Sequence, residues 1–361
     1  MLETNLCGIK LDNPLLPGSG PLTGSYEKMK FFADEGLGAI VTKTIAPEAA
    51  DVLRPCIIGG RDIIMNCESW SEYSLEKWAD EFLPEYRKNC KTPILASMGY
   101  NEKDTAKIVP LVDKYVDGYE LSFRYTYNDY EETARMVGET KKLTDKPLWI
   151  KTNDTALANP EKYAKECYAA GVDGIVAGTS IGPNLAVDLS KRRAKIGTDS
   201  GYVWTSGPVI KPQILALVNR IKNACPDLSI ISSGGVQNAE DVLEYILAGA
   251  DAVEMLSAAM IHGRTLYGKI IKELPATLEK YGFSSIQEVR DTSLKPMEVR
   301  TTPLYPQIDY NLCSKCKICS DNCPYFAMDY NGKPIVNIDK CFGCGLCESR
   351  CPKKAISGCI S

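Results

Sequence analysis

The chain has 361 residues, a length that accommodates about two domains. Its 42 Lys and Arg against 46 Asp and Glu give a formal net charge of −4, which does not favour binding to nucleic acid or to an anionic membrane. A hydrophobic content of 44% and a charged content of 24% exclude wholesale disorder. Because the sequence has neither an apolar run of roughly 18 residues nor a secretory signal, we expect a cytoplasmic protein.

Up to residue 296, short β-rich runs alternate with longer amphipathic stretches. Eight of these runs are strand candidates, each flanked by Gly, Pro or polar residues. They cover residues 14–18, 39–43, 94–98, 118–122, 148–151, 174–178, 229–233 and 252–256. A helical pattern follows each candidate, and glycines stand where several of these helices should end, at Gly36, Gly171 and Gly249. The repeats predict an α/β fold, a (β/α)₈ TIM barrel over residues 1–296. A doubly wound open sheet is the alternative, because its βαβ alternation is the same.

Two shorter segments flank this pattern. Residues 6–11 precede the first strand and could form a hairpin that closes the bottom of the barrel. Residues 297–312 contain Pro303 and Pro306 and show no clear periodicity, so we predict a linker there. The single histidine, His262, excludes a multi-His metal site and a His-based catalytic triad.

Most of the 15 cysteines lie in the last segment, residues 313–361. Two runs there share the spacing C-x-x-C-x-x-C-x-x-x-C-P, and their cysteines are Cys313, Cys316, Cys319 and Cys323, then Cys341, Cys344, Cys347 and Cys351. This spacing predicts a ferredoxin-like domain with two [4Fe–4S] clusters, each held by three cysteines of one run and the last of the other. Zinc ribbons, the alternative, use paired C-x-x-C knuckles. Cys359 lies outside both runs and is not needed as a cluster ligand.

Such clusters carry electrons singly, so the barrel should hold a group that handles two. In barrels of this type, the chemistry lies at the C-terminal ends of the strands. Lys43 and Lys151 end the second and fifth strand candidates, where an ammonium group suits an anionic reduced flavin. Glycines near the seventh and eighth strands suit a phosphate held by backbone N–H groups. No nicotinamide-binding motif is visible in the sequence.

Together these motifs resemble the dihydroorotate and dihydropyrimidine dehydrogenase family of FMN barrels, over roughly residues 5–275. The resemblance rests on Asn13-Pro14 before Gly18-Ser19-Gly20, on Lys43, on Asn66-Cys67-Glu68, and on the stretches 206–212 and 233–236. It implies FMN as the cofactor, held by Gly18, Ser19, Gly20, Lys43, Thr44, Lys151, Thr179, Ser206, Gly207, Gly234, Gly235, Leu256 and Ser257. On the substrate side it implies Asn66, Glu68, Ser122, Tyr127, Thr179 and Ser180.

The chain departs from this family after the fourth strand. Where the family carries its catalytic Cys or Ser, this chain has Tyr125, and where the family carries asparagines it has Ser122, Tyr127 and Thr179. Each buried polar group left unpaired costs on the order of 1–3 kcal/mol. A pyrimidine should therefore be held poorly, and we expect a larger or less polar substrate.

Three residues are candidates for the catalytic step. Tyr125 would protonate the carbon next to the one that receives hydride, since a phenol with a pKa near 10 can act as a general acid; alternatively, it is an aromatic wall. Arg124 would adjust the pKa of this phenol or bind a substrate carboxylate. Alternatively, Arg124 forms only a surface ion pair. Cys67 is a second candidate, although a lone cysteine is usually a small buried hydrophobic residue.

The sequence therefore predicts an FMN- and iron–sulfur-dependent oxidoreductase of the kind found in anaerobes, which reduces an activated C=C bond of a non-pyrimidine molecule. We expect an external electron donor, either ferredoxin or an NAD(P)H-oxidising flavoprotein subunit, and no nucleic-acid or membrane partner. The sequence leaves open whether the chain forms a homo-oligomer. The alternatives are a dihydropyrimidine or dihydroorotate dehydrogenase, an electron-transfer subunit of a larger flavoprotein complex, and a redox sensor.

Overall fold

The computed structural model describes residues 1–122, 130–292, 294–295, 297 and 300–360. The chain divides into two compact units, Met1–Leu294 and Lys295–Ser361. Residues 297–312, the predicted linker, belong to the second unit. Within the described residues, no helix has both the length and the apolar character needed to cross a membrane.

Eight parallel strands form the centre of the first unit, and they follow one another around the sheet in chain order. They are Leu15–Pro17, Ile40–Val41, Ile94–Met98, Gly118–Leu121, Leu148–Lys151, Gly174–Ala177, Ser229–Ser233 and Ala252–Met255. The eighth strand pairs with the first, and the N–H of Gly38, just before the second, donates to the carbonyl of Leu15 at 3.1 Å. The sheet thus closes almost completely, which confirms the predicted (β/α)₈ barrel and excludes the open sheet.

Helices follow the strands and pack their apolar faces against the sheet in one large buried cluster. The helices of the first unit are Tyr26–Asp34, Leu75–Lys77, Trp78–Phe82 (a π-helical turn), Leu83–Asn89, Glu102–Val112, Tyr130–Lys141, Asp154–Ala158, Pro160–Ala169, Lys211–Ala224, Ala239–Ala248, Ser257–His262, Leu266–Lys280 and Ile286–Asp291. Short 3₁₀ turns cover Pro21–Thr23, Asp113–Tyr115 and Pro208–Ile210. Gly249 caps its helix in the left-handed conformation, as predicted.

A hairpin closes the N-terminal end of the barrel. Its strands, Thr4–Leu6 and Ile9–Leu11, pair antiparallel, and the hydroxyl of Thr4 donates to the carbonyl of Asp251 at 3.0 Å, directly before the eighth strand. Leu6 and Leu11 are buried with residues of the barrel interior. The predicted hairpin is confirmed, and it leaves the opposite end of the barrel for the site.

A four-stranded antiparallel sheet stands beside the C-terminal ends of the barrel strands. Its strands, in spatial order, are Ile181–Leu185, Tyr202–Ser206, Ile64–Asn66 and Ile57–Gly59. Two of them come from the segment after the second barrel strand and two from the segment after the sixth, and a small hairpin, Val187–Asp188 with Arg193–Ala194, extends the latter. This sheet, which the sequence patterns do not predict, brings Asn66 opposite Trp204.

The second unit contains two short antiparallel pairings, of which one is a hairpin, and two one-turn helices. Gln307–Ile308 pairs with Ile356–Ser357, and Met328–Tyr330 pairs with Pro334–Val336, both antiparallel. The helices, Ile318–Asp321 and Leu346–Ser349, each lie inside one cysteine run. The two cysteine runs therefore have matching local structures.

Candidate active site

The C-terminal ends of the barrel strands open into one cleft. Every predicted cofactor residue lines it except Gly207, which follows the lining residue Ser206 and lies against the backbone of Asp62. Of the predicted substrate residues, the cleft brings together Asn66, Glu68, Ser122, Thr179 and Ser180. Tyr127, Tyr125 and Arg124 fall outside the described residues, so their roles stay predictions.

Glycines bring the backbone close to the cleft after the first and seventh strands. A Cβ atom on Gly20 would lie 2.7 Å from Leu256 Cδ2, and one on Gly235, where φ is +80°, would lie 2.6 Å from Lys211 Cβ. Next to them the hydroxyl oxygens of Ser206 and Ser257 are 2.7 Å apart. Both glycines line the cleft. Their backbone N–H groups and the two hydroxyls are the kind of donors that a phosphate group needs. These residues fit the phosphate end of FMN.

A buried ionic cluster lies inside the barrel below this cleft. Lys151 Nζ donates to Glu120 Oε2 at 2.8 Å and to Glu254 Oε2 at 2.9 Å, and both carboxyl side chains are 1% exposed. Burial raises the pKa of Glu254 to about 8 against the opposing effect of Lys151, because a buried carboxylate loses its hydration. Glu254 Oε1 has no hydrogen-bond partner among the described residues.

A chain of hydrogen bonds connects this cluster with the first two strands. Ser97 Oγ donates to Glu120 Oε1 at 2.7 Å and lies 3.1 Å from Thr44 Oγ1, which in turn lies 3.1 Å from Ser19 Oγ. Hydroxyls can both donate and accept, so the chain can adjust its proton positions to the charge of the cluster. The cleft floor is thus one connected polar network.

The second predicted flavin lysine also bonds to carboxylates. Lys43 is almost wholly buried, and its Nζ lies 3.1 Å from Glu68 Oε1 and 2.6 Å from Glu72 Oε1. Both lysines lie in a site with little water, where an ammonium stabilises a negative charge more strongly than it does in bulk solvent. This suits the anionic ring of a reduced flavin.

Aromatic residues form the wall of the cleft on the substrate side. Trp70, Tyr100 and Trp204 line it, and the rings of Trp70 and Tyr100 meet edge to face with centroids 5.0 Å apart. Trp70 Nε1 donates to the carbonyl of Glu48 at 3.1 Å, which fixes the indole. The sequence analysis did not place any of the three in the site, since nothing in their local pattern distinguishes a cleft aromatic from a core one.

Cys67, the second catalytic candidate, is not brought into the cleft. It is buried beneath the antiparallel sheet with Ile196 and Val203, and its thiol points to the carbonyl of Cys56 at 3.7 Å. Among the described residues it occupies the position of a small core side chain. Its neighbours Asn66 and Glu68, by contrast, both line the cleft.

The cysteines of the second unit surround two cavities. One cavity is lined by Cys313, Cys316, Cys319 and Cys351, and the other by Cys341, Cys344, Cys347 and Cys323. Their volumes are similar, about 360 and 370 Å³. Each cavity thus receives three thiols from one run and the fourth from the other, the grouping that two cubane clusters require. Cys359 lines the second cavity as a fifth thiol.

Comparison with known proteins identifies both units. A sequence profile described as "Dihydroorotate dehydrogenase" matches residues 1–278. The chain belongs to the dihydroorotate dehydrogenase family. A second profile, described as "4Fe-4S dicluster domain", matches residues 312–355. The zinc alternative for the cysteine runs is therefore wrong.

Curated members of the dihydroorotate dehydrogenase family are similar to most of this chain. A protein of Listeria monocytogenes (serotype 4a, strain HCC23) is 29% identical over 303 residues, which cover 80% of this chain and 97% of that protein. One of Petrotoga mobilis is 29% identical over 307 residues, 80% of this chain and 99% of its own. Both are named "Dihydroorotate dehydrogenase B (NAD(+)), catalytic subunit".

These findings establish the general chemistry of the protein. It is a flavin-dependent oxidoreductase that acts on CH–CH bonds and uses FMN and iron–sulfur clusters. Bound FMN supplies hydride exchange with carbon and single-electron exchange with the clusters. Within this chain, the backbone at Gly235 would hold the phosphate, the ammonium groups of Lys43 and Lys151 would stabilise the reduced ring, and the aromatic wall would border the substrate.

Proposed function

We propose that this family member reduces an activated C=C bond of a small molecule that is not a pyrimidine. The observation that carries the proposal is that two polar residues of the family's pyrimidine signature already have protein partners. The amide of Asn66 donates to the carbonyl of Trp204 at 3.4 Å, and Glu68 accepts from Lys43 at 3.1 Å. These contacts occupy part of the hydrogen-bonding capacity of both side chains, which leaves less of it for a pyrimidine ring.

The substitutions and the aromatic wall support the same substrate class. Ser122 and Thr179 line the cleft where the family carries amides, so two fewer amide groups face the substrate. Trp70 and Tyr100 add apolar surface to the cleft, which favours a less polar molecule. With Arg124 as the partner of a carboxylate and Tyr125 as the proton donor, an enoate or an enone meets these requirements.

For the electrons, we propose an external donor that delivers them through the clusters to FMN. The curated relatives are named as catalytic subunits, which supports a separate partner for this chain as well. The candidates are a ferredoxin and an NAD(P)H-oxidising flavoprotein subunit. We place the reaction in the cytoplasm.

A second candidate function is the oxidation of dihydroorotate. The names of the relatives favour it, and so does the presence of Asn66 and Glu68 in the cleft. It requires the ring to be bound although Ser122 and Thr179 replace amides. The two candidates therefore predict opposite substrate preferences.

The deciding experiment uses the holoprotein, purified without oxygen and reduced stoichiometrically. Reoxidation of its flavin and clusters is followed spectrally after addition of uracil, orotate, or a panel of enones and enoates. We expect reoxidation by enones or enoates and none by pyrimidines. Rapid reoxidation by either pyrimidine would refute the proposal, and rapid reoxidation by orotate would establish the second candidate.

A further inference from the structure

The two cluster cavities of the second unit differ in the charge of their rims. Lys315 and Lys317 line the first cavity, and both are exposed. Lys353 and Lys354, also exposed, directly follow Cys351 and Pro352, which line this cavity. No Asp or Glu lines either cavity within the described residues. The first cluster therefore has a basic rim, defined here as Lys315, Lys317, Lys353 and Lys354.

Aromatic side chains hold nearby lysines in place. The ammonium of Lys317 lies 4.8 Å from the ring centroid of Tyr330, whose hydroxyl donates to the carbonyl of Lys315 at 3.4 Å. Cation–π contacts of this kind restrict a lysine without neutralising it. Lys317, which lines the first cavity, is thus restricted in its motion and exposed.

The second cavity has an apolar rim instead. Tyr325 and Phe342 line it and stack with centroids 4.9 Å apart at an interplanar angle of 15°. Glu348 turns its carboxylate inward, accepting from the backbone N–H groups of Cys359 and Ile360 at 2.7 and 2.9 Å. The contrast between the two rims gives one cluster, and not the other, an attraction for negative charge.

We propose that the basic rim is the docking surface of an acidic one-electron carrier protein, and that electrons cross between carrier and chain at the first cluster. Each docking transfers one electron: the reduced carrier is oxidised and the first cluster is reduced. Two dockings supply the electron pair that a two-electron reduction of one C=C bond consumes, together with two protons from water. This proposal rests on the external electron donor and the direction of electron flow proposed above, but it holds for any molecule that the cleft reduces.

Electrostatic physics sets the expected size of the effect. Complementary charge raises protein association rates by roughly 10–10³-fold at low salt. Screening lengths fall from about 10 Å at 0.1 M salt to about 3 Å at 1 M, so the enhancement should disappear at high salt. A docking surface made of lysines must therefore show a rate that falls steeply with ionic strength.

The test is stopped-flow reduction of the holoprotein by a purified, acidic two-[4Fe–4S] ferredoxin, without oxygen and over a range of NaCl concentrations. We expect the double variant Lys315→Glu/Lys317→Glu to lower the second-order rate constant at least tenfold at low salt, with the difference vanishing near 1 M. The matched control is Lys340→Glu, an exposed lysine directly before the first cysteine of the second run. It changes the charge of the same unit away from the rim, and its rate should stay within twofold of wild type.

Two further measurements separate docking from damage to the clusters. Photoreduced deazariboflavin, which is neutral and small, should reduce the wild type and the double variant at equal rates. If the double variant loses iron, Lys353→Glu/Lys354→Glu replaces it. An intact rim variant with the wild-type rate and salt dependence would overturn the proposal, as would an equal loss in the Lys340→Glu control.

Discussion

Lys151 bridges two carboxyl groups that lie almost wholly inside the barrel. With both groups ionised, the cluster of Glu120, Lys151 and Glu254 would carry a net charge of −1 in a place with little water. Removing one partner of such a cluster normally leaves a costly uncompensated charge. Glu254 is the exception, because burial raises its pKa and a neutral side chain at this position still leaves Lys151 paired with Glu120.

This arrangement predicts a pH dependence of stability that Glu254→Gln should remove. A carboxyl with a pKa of 4.5 when unfolded and about 8 when folded binds more protons in the folded state. Its stabilising contribution to the free energy of unfolding is therefore complete below pH 4.5. This contribution is lost as the pH rises towards 8, at up to about 1.4 kcal/mol per pH unit. The measurement is the free energy of unfolding at pH 5 to 8, where wild type should lose stability relative to Glu254→Gln.

The matched control for this comparison is the exposed residue Glu279, changed to Gln. That variant should follow the wild-type pH profile, because the residue is hydrated in both states. A constant difference between wild type and Glu254→Gln at every pH would show that Glu254 does not titrate in this range.

The residue predicted to protonate substrate carbon lies outside the described part of the chain, yet it can be tested directly. Tyr125→Phe should lower turnover by about 10²–10⁴-fold, the usual contribution of a general acid. Reduction of flavin and clusters by a chemical reductant should be unaffected. Tyr127→Phe removes the same hydroxyl two residues away and should change KM more than kcat. Full turnover in Tyr125→Phe would remove this phenol from the mechanism.

At the scale of elements, the turn after the seventh barrel strand carries the sharpest steric requirement. Gly235→Ala would place a methyl group 2.8 Å from the backbone Cα of Lys211, in a backbone conformation that L-residues rarely adopt. The turn must move, and with it the Gly235 backbone that would hold the FMN phosphate, called here the phosphate cradle. We expect FMN to bind at least about tenfold more weakly, a loss of about 1.4 kcal/mol, measured by flavin release on dialysis.

Gly282→Ala is the matched control for Gly235→Ala. The φ angles of the two glycines are nearly equal, +78° and +80°, but nothing lies within 4 Å of a Cβ on Gly282. This variant bears the same backbone strain without the collision, so it should retain FMN at the wild-type level. Loss of FMN from both variants would mean that general destabilisation, and not the cradle, is responsible.

The barrel strands could be predicted from sequence, while the antiparallel sheet above them could not. Strands such as Ser229–Ser233 are compact β-branched runs between turn residues, and each repeats the pattern of its neighbours. Ile57–Gly59 and Ile64–Asn66 have three residues each, too few for a periodic signal. Their partner strand lies far along the chain, since Trp204 is 138 positions after Asn66. Local patterns cannot report such a pairing.

The same limit explains which site residues were found. Residues at the ends of barrel strands, such as Lys43 and Lys151, could be predicted because the fold dictates that these ends converge. Trp70 and Trp204 were missed because loops and the unpredicted sheet carry them to the cleft. The network from Ser19 to Glu254 was also invisible, since it joins side chains from six different strands or strand ends.

At the scale of the whole molecule, the interleaved cysteine runs have a consequence for how the protein matures. Neither run can complete a cavity alone, because Cys351 serves the first cavity and Cys323 the second. The first cluster to be inserted therefore ties the two runs together and pre-forms the remaining site. Iron loading should be cooperative, with few chains that hold only one cluster.

Single-cysteine variants test this maturation order. Cys351→Ala should reduce the iron and sulfide bound per chain by more than half, because the first site loses a ligand and its cluster can no longer pre-form the second site. Cys359→Ala removes a thiol that lies beside the second cavity but outside both runs, and it should keep the full iron content. A stable half-loaded Cys351→Ala protein would show that the clusters assemble independently. Under cooperative loading, iron-limited cells would accumulate a mixture of fully loaded and empty chains, so shortage would reduce the number of working molecules and not the performance of each.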